Sequence, residues 1–325
     1  DYALLEGCDL VVEAVFEDRA IKASVTRKAE EVIPPTAVFG SNTSTLPITG
    51  LAEASSRPAQ FIGLHFFSPV ERMPLVEVIR GERTSDEALA KSMDFIRAIH
   101  KTPIVVNDSR GFYTSRVFGT YITEGASMLL EGVAPALIEN AGKMSGMPMP
   151  PLALADAVGL DLMHKVGAQT REDLGDAFVE NPSSAVLKLL VVDHGRHGQK
   201  NGQGYYDYHE GGSKSLWSGL SEAFPPSTDQ PDVEQLKRRY LFTQALETVR
   251  CVEEGVITSV ADCDLGAILG WGFAPFTGGP LSYIDTYGVQ DFIEEADRLA
   301  EQFGERFAVP NLLREMAREG RTFHG

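Results

Sequence analysis

The sequence lacks the features that mark membrane proteins and nucleic-acid-binding proteins. No apolar run in its 325 residues approaches the ~18 residues of a spanning helix, and no signal peptide opens the chain. Its 29 Lys and Arg residues face 46 Asp and Glu residues, which gives a formal net charge of -17. Because no Lys- or Arg-rich run interrupts this acidic background, we expect no nucleic-acid partner and no membrane span.

Cysteine is scarce as well. Cys8, Cys251 and Cys263 form no C-x-x-C pair and leave an odd count. This pattern predicts neither a disulfide framework nor a zinc or other metal site, and it is typical of a reduced cytoplasmic protein. The composition, 43% hydrophobic and 23% charged, is that of an ordinary globular chain of about two domains.

Apolar runs and helical stretches alternate over residues 1–109. The run DLVVEAVF at 9–16 has the character of a buried parallel strand, and a helical stretch at 18–33 follows it. Further strands are predicted, in chain order, at 38–40, 61–67, 75–79 and 104–106. The alternation predicts an α/β domain built on a parallel sheet.

A glycine-rich phosphate loop is missing from this domain. A dinucleotide-binding sheet carries G-x-G-x-x-G after its first strand, with an acidic residue about 20 positions further on. The segments Gly202-x-Gly204 and Gly270-x-Gly272 begin the motif but do not complete it. We therefore expect residues 1–109 to be the C-terminal half of a Rossmann-type domain whose earlier strands are missing.

From residue 110 onward the periodicity is helical, and two landmarks recur. Glu131-Gly132-Val133 returns as Glu254-Gly255-Val256, and the Asp156…Gly159 spacing returns as Asp285…Gly288. Repeated landmarks with small shifts in offset indicate duplication followed by insertions. The sequence thus predicts two all-helical domains, over residues 110–212 and 213–325, after the partial sheet.

Two predicted strands each carry one ionisable residue on an otherwise apolar face. His65 lies in IGLHFF and Glu77 in LVEVI, 12 residues later. A buried carboxylate without a partner costs several kcal/mol, so pairing with the imidazole is the cheapest arrangement. Such a pair fixes one imidazole tautomer and makes a general base, although it can also serve only to fix strand packing.

Polar residues follow the first two predicted strands. The segment SNTST at 41–45 offers hydrogen bonds to a ligand at the carboxyl ends of the strands, or else Ser44 and Thr45 cap the next helix. Glu17 is placed to accept from a ribose hydroxyl and Lys22 to meet a phosphate. The alternative is a solvated helix start with a favourably placed carboxylate.

These segments together resemble a known family. SNTST at 41–45, GLHFFSPVERMPLVEVIRG at 63–81 and DSRGFYTSR at 108–116 are similar to the L-3-hydroxyacyl-CoA dehydrogenases. The doubled helical region resembles the C-terminal part of the multifunctional fatty-acid oxidation α chain, which joins an enoyl-CoA hydratase to this dehydrogenase. The resemblance implies NAD-dependent oxidation of an L-3-hydroxyacyl-CoA to a 3-ketoacyl-CoA in β-oxidation, with a thiolase β subunit as partner.

The resemblance also implies residue roles. His65 would be the general base and Glu77 its orienting carboxylate, and Ser44 would contact both substrate and cofactor. Glu17 and Lys22 match the NAD contacts of the family's V-x-E-x-x-x-x-K stretch.

Two positions depart from the family pattern. Ser68 and Ser115 stand where the family usually has Asn, and a serine hydroxyl reaches less far. By the resemblance Ser68 would contact the cofactor and Ser115 the substrate, directly or through a water.

Because the glycine loop is missing, we expect the given chain by itself to bind NAD weakly and to turn over poorly. Two other functions remain open from the sequence. One is a non-catalytic docking or scaffold segment of a multienzyme complex, and the other is a different NAD-linked hydroxy-acid dehydrogenase.

Overall fold

Five strands form one sheet in the computed structural model, which describes all residues from 1 to 325. In sheet order, which is also chain order, they are β1 Leu10–Glu13, β2 Val38–Ser41, β3 Phe61–Phe66, β4 Leu75–Arg80 and β5 Thr102–Asn107. The predicted α/β class is confirmed, and the five predicted strands are present with slightly different bounds.

One strand pair departs from the predicted parallel sheet. The β1–β2, β2–β3 and β4–β5 pairs are parallel, whereas β3 and β4 run antiparallel. A parallel connection needs a crossover of about a dozen residues, usually a helix. Residues 67–74 are too few for that crossover, so the chain turns back on itself. This reversal places His65 directly opposite Glu77 in the register.

The two faces of the sheet are buried by different elements. Leu64, Val76 and Val78 face a core that also contains Ala88 and Ile96 of the helix over 86–98. On the other face the helix over 260–271 approaches the sheet through its glycines. A Cβ at Gly266 would lie 2.7 Å from Ile104, and one at Gly270 would lie 2.9 Å from Leu75. Small residues thus let that helix lie close to the face that carries Glu77.

Fourteen α-helical segments lie between and after the strands of the sheet along the chain. They are α1 Arg19–Glu30, α2 Ile48–Leu51, α3 Asp86–Ala98, α4 Thr114–Leu130, α5 Pro135–Met144, α6 Pro151–Val158, α7 Leu160–Leu174, α8 Ser183–Leu187, α9 Gly219–Ala223, α10 Val233–Glu253, α11 Val260–Trp271, α12 Pro280–Tyr287, α13 Val289–Phe303 and α14 Asn311–Glu319. The prediction that the chain becomes helical after residue 110 is confirmed. None of these helices is both long enough and apolar enough to span a bilayer.

The glycine-rich segment 193–214 contains regular structure within the helical region. A π-helical turn over Lys188–Asp193 leads into it, and a two-stranded hairpin of β6 Tyr206–Tyr208 and β7 Lys214–Leu216 ends it. Three-residue strands are too short for periodicity to reveal them, and the surrounding glycines favour a loop prediction.

Spatial contacts group the chain into two units that interleave along the sequence. One comprises Asp1–Val117, Leu246–Glu295 and Val309–Gly325, and it contains the sheet. The other comprises Phe118–Ala245 and Ala296–Ala308. The predicted boundaries after residues 109 and 212 describe sequence modules, and they stay a prediction.

Two buried carboxylates in the helical regions have matching roles. Glu139 of α5 accepts the first backbone N–H groups of α6 at 2.7 and 3.3 Å. Asp264 of α11 accepts those of α12 at 2.8 and 3.1 Å. In each case a side chain satisfies N–H groups that a helix start leaves unpaired, and the two helices so capped both begin with proline.

Candidate active site

The imidazole of His65 meets the carboxylate of Glu77 on β4 near the carboxyl end of β3, where His65 is the penultimate residue. Nδ1 of His65 lies 3.0 Å from Oε2 of Glu77, and the two side chains are 6% and 0% exposed. An ionised carboxylate accepts only, so Nδ1 carries the hydrogen and Nε2 keeps its lone pair. The predicted contact is therefore present, in a geometry that leaves one ring nitrogen able to take a proton.

Four donors surround the Glu77 carboxylate. Oε1 accepts the backbone N–H groups of Tyr113 at 2.9 Å and Thr114 at 3.0 Å. Oε2 accepts the Thr114 hydroxyl at 2.6 Å in addition to His65. Because these N–H groups lie at the start of α4, the positive end of the helix dipole also faces the carboxylate. A fully buried charge is thus compensated from several directions.

Aromatic rings enclose the imidazole. The ring of Phe67 lies 4.5 Å from that of His65, centroid to centroid, and the ring of Phe112 lies 6.1 Å away. Phe112 has φ 51° although it is not glycine, and it follows Gly111 at φ 73°. A bulky residue in the left-handed region is strained. Here the strained turn directs the start of α4 toward Glu77 while Phe112 stays fully buried.

Glu17 organises the loop that follows β2. Its Oε1 accepts the Thr43 hydroxyl at 2.6 Å and the backbone N–H groups of Ser44 and Thr45, each at 3.0 Å. Burial acts to raise the pKa of Glu17, but the hydrogen bonds from Thr43 and Thr45 and the Lys22 charge outweigh it and lower that pKa. The group is therefore an anion beside the exposed Ser44.

Lys22 is locked in a buried ion pair. Its Nζ lies 3.0 Å from Oε1 of Glu13 and 3.5 Å from Oε2 of Glu17, and its side chain is 2% exposed. The alternative of a solvated helix start is wrong for this residue, because Glu13 draws the ammonium inward. Cofactor binding by Lys22 stays a prediction. In this structure the Lys22 ammonium forms an ion pair with Glu17 as well as with Glu13.

The capping alternative for the 41–45 segment is also wrong. Helix α2 begins after Pro47 without a side-chain cap from Ser44 or Thr45. Its first N–H groups, from Ile48 and Thr49, donate instead to Asp108 at 2.8 and 2.7 Å. The sequence could not reveal this, since Asp108 lies about 60 residues away. Because Ser44 does not cap the helix, its side chain is free to lie exposed in the loop.

The two serines that replace the family's usual asparagines are not part of the hydrogen-bonded network around His65 and Glu77. Ser68 is exposed in the turn after β3, and Ser115 is half-buried in the first turn of α4. Neither hydroxyl bonds to His65 or Glu77. Their proposed contacts with cofactor and substrate therefore stay predictions.

Sequence reasoning missed two residues that support the site. Glu13 holds Lys22 and also accepts the Ser41 hydroxyl. Thr114 donates to Glu77. Glu13 gave a signal, since it is a charge in the apolar run DLVVEAVF. The only sequence signal for Thr114 was its position in the segment GFYTSR.

The residues at the carboxyl ends of β1 to β3 fit the nicotinamide half of NAD. Glu17 is an anion able to accept from a ribose hydroxyl, and Ser44 presents an exposed hydroxyl next to it. The end of β3 lies beside this loop, because the side chain of Asn42 accepts the Phe66 N–H at 2.7 Å. Ligands of open α/β sheets bind at this edge.

This α/β sheet, with its buried imidazole–carboxylate pair and the anionic Glu17 beside an exposed serine, has the arrangement of a nicotinamide-dependent oxidoreductase. The family comparisons agree. Residues 1–109 match the model of the 3-hydroxyacyl-CoA dehydrogenase NAD binding domain, and residues 111–208 match that of the 3-hydroxyacyl-CoA dehydrogenase C-terminal domain.

Known proteins resemble all or a large part of the chain. The fatty acid oxidation complex subunit alpha of Shewanella amazonensis is 42% identical, over 100% of this chain and 46% of that protein. The crystal structure of 3-hydroxybutyryl-CoA dehydrogenase from Escherichia coli K12 has a TM-score of 0.80 at 26% identity, covering 98% of this chain and 83% of that one. The (S)-3-hydroxybutyryl-CoA dehydrogenase of Ralstonia eutropha has a TM-score of 0.60 at 35% identity, covering 65% and 74%.

The chain belongs to the 3-hydroxyacyl-CoA dehydrogenase family, whose members are NAD-dependent oxidoreductases. It spans about half the length of the curated relatives it matches.

Proposed function

We propose that this chain is the dehydrogenase part of a fatty-acid oxidation enzyme and converts an L-3-hydroxyacyl-CoA to the 3-ketoacyl-CoA. The observation that supports it is the 3.0 Å contact between His65 and Glu77 at the ligand-binding edge of the sheet. A proton must leave the 3-hydroxyl when C3 is oxidised, and this pair is a general base with its proton-accepting nitrogen free of Glu77.

NAD, when bound, supplies the hydride acceptor for C3. Nε2 of His65 takes the 3-hydroxyl proton, and Glu77 stabilises the imidazolium that forms. Because Glu77 is held by four donors, the ring stays oriented through the transfer. Ser44 binds substrate and cofactor from the loop that Glu17 organises, and Phe67 and Phe112 keep water from much of the ring.

The relatives' name extends the proposal to the whole protein. That name supports membership of a complex. From the family resemblance we propose an enoyl-CoA hydratase in the same polypeptide and a thiolase β subunit as partner. We place this enzyme in the cytoplasm, as the scarce and unpaired cysteines favour.

The helical region is proposed to be a duplication, with modules over 110–212 and 213–325. Matching hydrogen bonds support this division. Asp156 accepts the backbone N–H groups of Tyr205 and Tyr206 at 2.8 and 2.9 Å. Asp285, its counterpart by sequence, accepts those of Phe323 and His324, both at 2.9 Å.

Replacing His65 tests the activity. In the full-length protein, His65→Ala should lower kcat by about 10²-fold or more, the usual contribution of a general base. Turnover is measured by NADH absorbance with acetoacetyl-CoA. The matched control is His209→Ala, an exposed loop histidine whose loss should leave turnover unchanged. Near-normal turnover by His65→Ala would overturn the proposal.

The polypeptide 1–325 is proposed to bind NAD weakly. Residues that fit the nicotinamide ribose are in place, but the sequence has no glycine loop to cradle the pyrophosphate. Calorimetry with NAD should therefore show no binding in the micromolar range, and a micromolar Kd would contradict this inference.

A further inference from the structure

We propose that the Thr114 hydroxyl is a positioning group that holds the Glu77 oxygen on which the His65 imidazole depends. Thr114 Oγ1 lies 2.6 Å from Oε2 of Glu77, and the same oxygen accepts from His65 Nδ1 at 3.0 Å. This inference rests on the proposed dehydrogenase function and assigns to it a residue outside the His65–Glu77 pair.

Thr114 donates hydrogen bonds to both oxygens of the Glu77 carboxylate. Its backbone N–H donates to Oε1 at 3.0 Å while its hydroxyl donates to Oε2. A glutamate has a broad terminal torsion, so donors at both oxygens resist rotation of the carboxylate more than donors at one oxygen alone. Here two donors come from one residue that is 1% exposed.

The residue type suits this role. Threonine is β-branched and stiff at χ1, so its hydroxyl keeps one direction. Within a helix that hydroxyl commonly bonds the carbonyl three or four residues earlier. Thr114 is the first residue of α4, where no earlier helical turn supplies that carbonyl. The hydroxyl is therefore available to Glu77.

Loss of the hydroxyl should loosen the pair without abolishing it. The two backbone N–H groups would still hold Oε1. Oε2 would keep only the imidazole as donor, so the carboxylate could rotate and the Nδ1–H tautomer would lose its preference. The His65 imidazole would then occupy two tautomers. Only the tautomer with an unprotonated Nε2 can accept the substrate proton.

Nitrogen NMR of the His65 imidazole in the full-length protein tests this directly. The parent chain should give the signature of a single Nδ1–H tautomer for His65, assigned through His65→Asn. Thr114→Val, which keeps the shape and removes the hydroxyl, should give a mixture of tautomers. Thr114→Ser should restore the parent signature. Thr114→Ala removes the same hydroxyl with less steric demand, so it decides the question if the valine variant does not fold.

The matched control is Thr26→Val. Thr26 is 2% exposed, and its hydroxyl donates to the Lys22 carbonyl at 2.9 Å, away from His65 and Glu77. Its loss should leave the His65 signature unchanged. A Thr114→Val or Thr114→Ala chain with the parent signature overturns the inference.

Kinetics of the full-length protein separate positioning from binding. Thr114→Val should lower kcat about fivefold, the effect of one hydrogen bond, with KM unchanged. An unchanged kcat, or a rise in KM alone, overturns the positioning role. The NMR result does not depend on turnover, so an inactive parent would refute the proposed function while leaving the Thr114 result readable.

Discussion

Arg116 and Arg239 lie 123 residues apart in the sequence and make the same set of ion pairs. Nε of Arg239 donates to Glu124 at 2.6 Å, and its Nη1 donates to Glu131 at 2.7 Å. Arg116 donates through Nε to Glu247 and through Nη1 to Glu254, the latter at 2.5 Å. Both glutamate pairs are also 123 residues apart. The repeated landmarks in the sequence thus correspond to repeated interactions, as the proposed duplication requires.

The two arginines should nevertheless contribute differently to stability. The side chains of Arg239 and Glu124 are 1% and 0% exposed, whereas those of the equivalent Arg116 and Glu247 are 20% and 13% exposed. Loss of Arg239 leaves the fully buried Glu124 with Arg306, at 2.6 Å, and breaking a buried pair is strongly destabilising. We expect Arg239→Met to cost about 3–5 kcal/mol and Arg116→Met about 1 kcal/mol. Urea unfolding of the two variants measures this, and equal losses would contradict it.

Glu13 should be essential to the folded state because it neutralises a buried lysine. The side chains of Glu13 and Lys22 are 3% and 2% exposed. Glu13→Gln would leave the ammonium with Glu17 alone, at 3.5 Å, and should cost about 3 kcal/mol of unfolding free energy.

The double variant Glu13→Gln with Lys22→Met is the control for this pair. It removes both charges, so it should be more stable than Glu13→Gln alone. A double variant that is less stable than the single one would show that the buried pair is not the cause.

Glu77→Gln should slow turnover more than it unfolds the protein. The amide keeps one acceptor oxygen for α4 but presents an NH₂ group where Oε2 now accepts from His65 and Thr114. We expect kcat to fall about 10²-fold because the imidazolium loses its counter-charge. Glu139→Gln, a buried glutamate outside the site, is the comparison. Turnover within twofold of the parent would show that Glu77 is not needed to orient His65.

Asp156 should make the protein less stable as pH rises through mildly acidic values. Burial raises its pKa from 3.8 to about 6, against hydrogen bonds from Tyr205, Tyr206 and Tyr208. Between these two values the folded state binds more protons than the unfolded state, so the unfolding free energy falls as pH rises. The loss is on the order of 3 kcal/mol.

Urea unfolding between about pH 4 and pH 6 measures this slope. In Asp156→Asn the carboxyl cannot titrate, so the decline with rising pH should become smaller than in the parent chain. An unchanged slope would mean that other groups set the pH dependence.

Local patterns in the sequence predicted much of the fold. The apolar runs predicted all five strands, and the helical stretch at 18–33 contains α1 at Arg19–Glu30. Alternation along LHFF and LVEVI placed His65 and Glu77 each on one face of its strand, and the register brings the two residues opposite each other. These predictions succeed because strand alternation and helical periodicity depend on near neighbours in sequence.

The sequence by itself therefore determined the α/β class, the family and the two residues expected to form a general base. Only the tertiary structure decided what surrounds them. It turned β4 antiparallel to β3, assigned the capping of α2 to Asp108, drew Lys22 inward to Glu13 and gave Glu77 the hydroxyl of Thr114. The contacts of Asp108 and Thr114 join residues 60 and 37 positions apart, and the Lys22–Glu13 pair joins the end of β1 to the next helix, nine residues on. The reversal of β4 follows from a connection too short for a crossover. No local pattern records which distant partner will be nearest once the chain has folded.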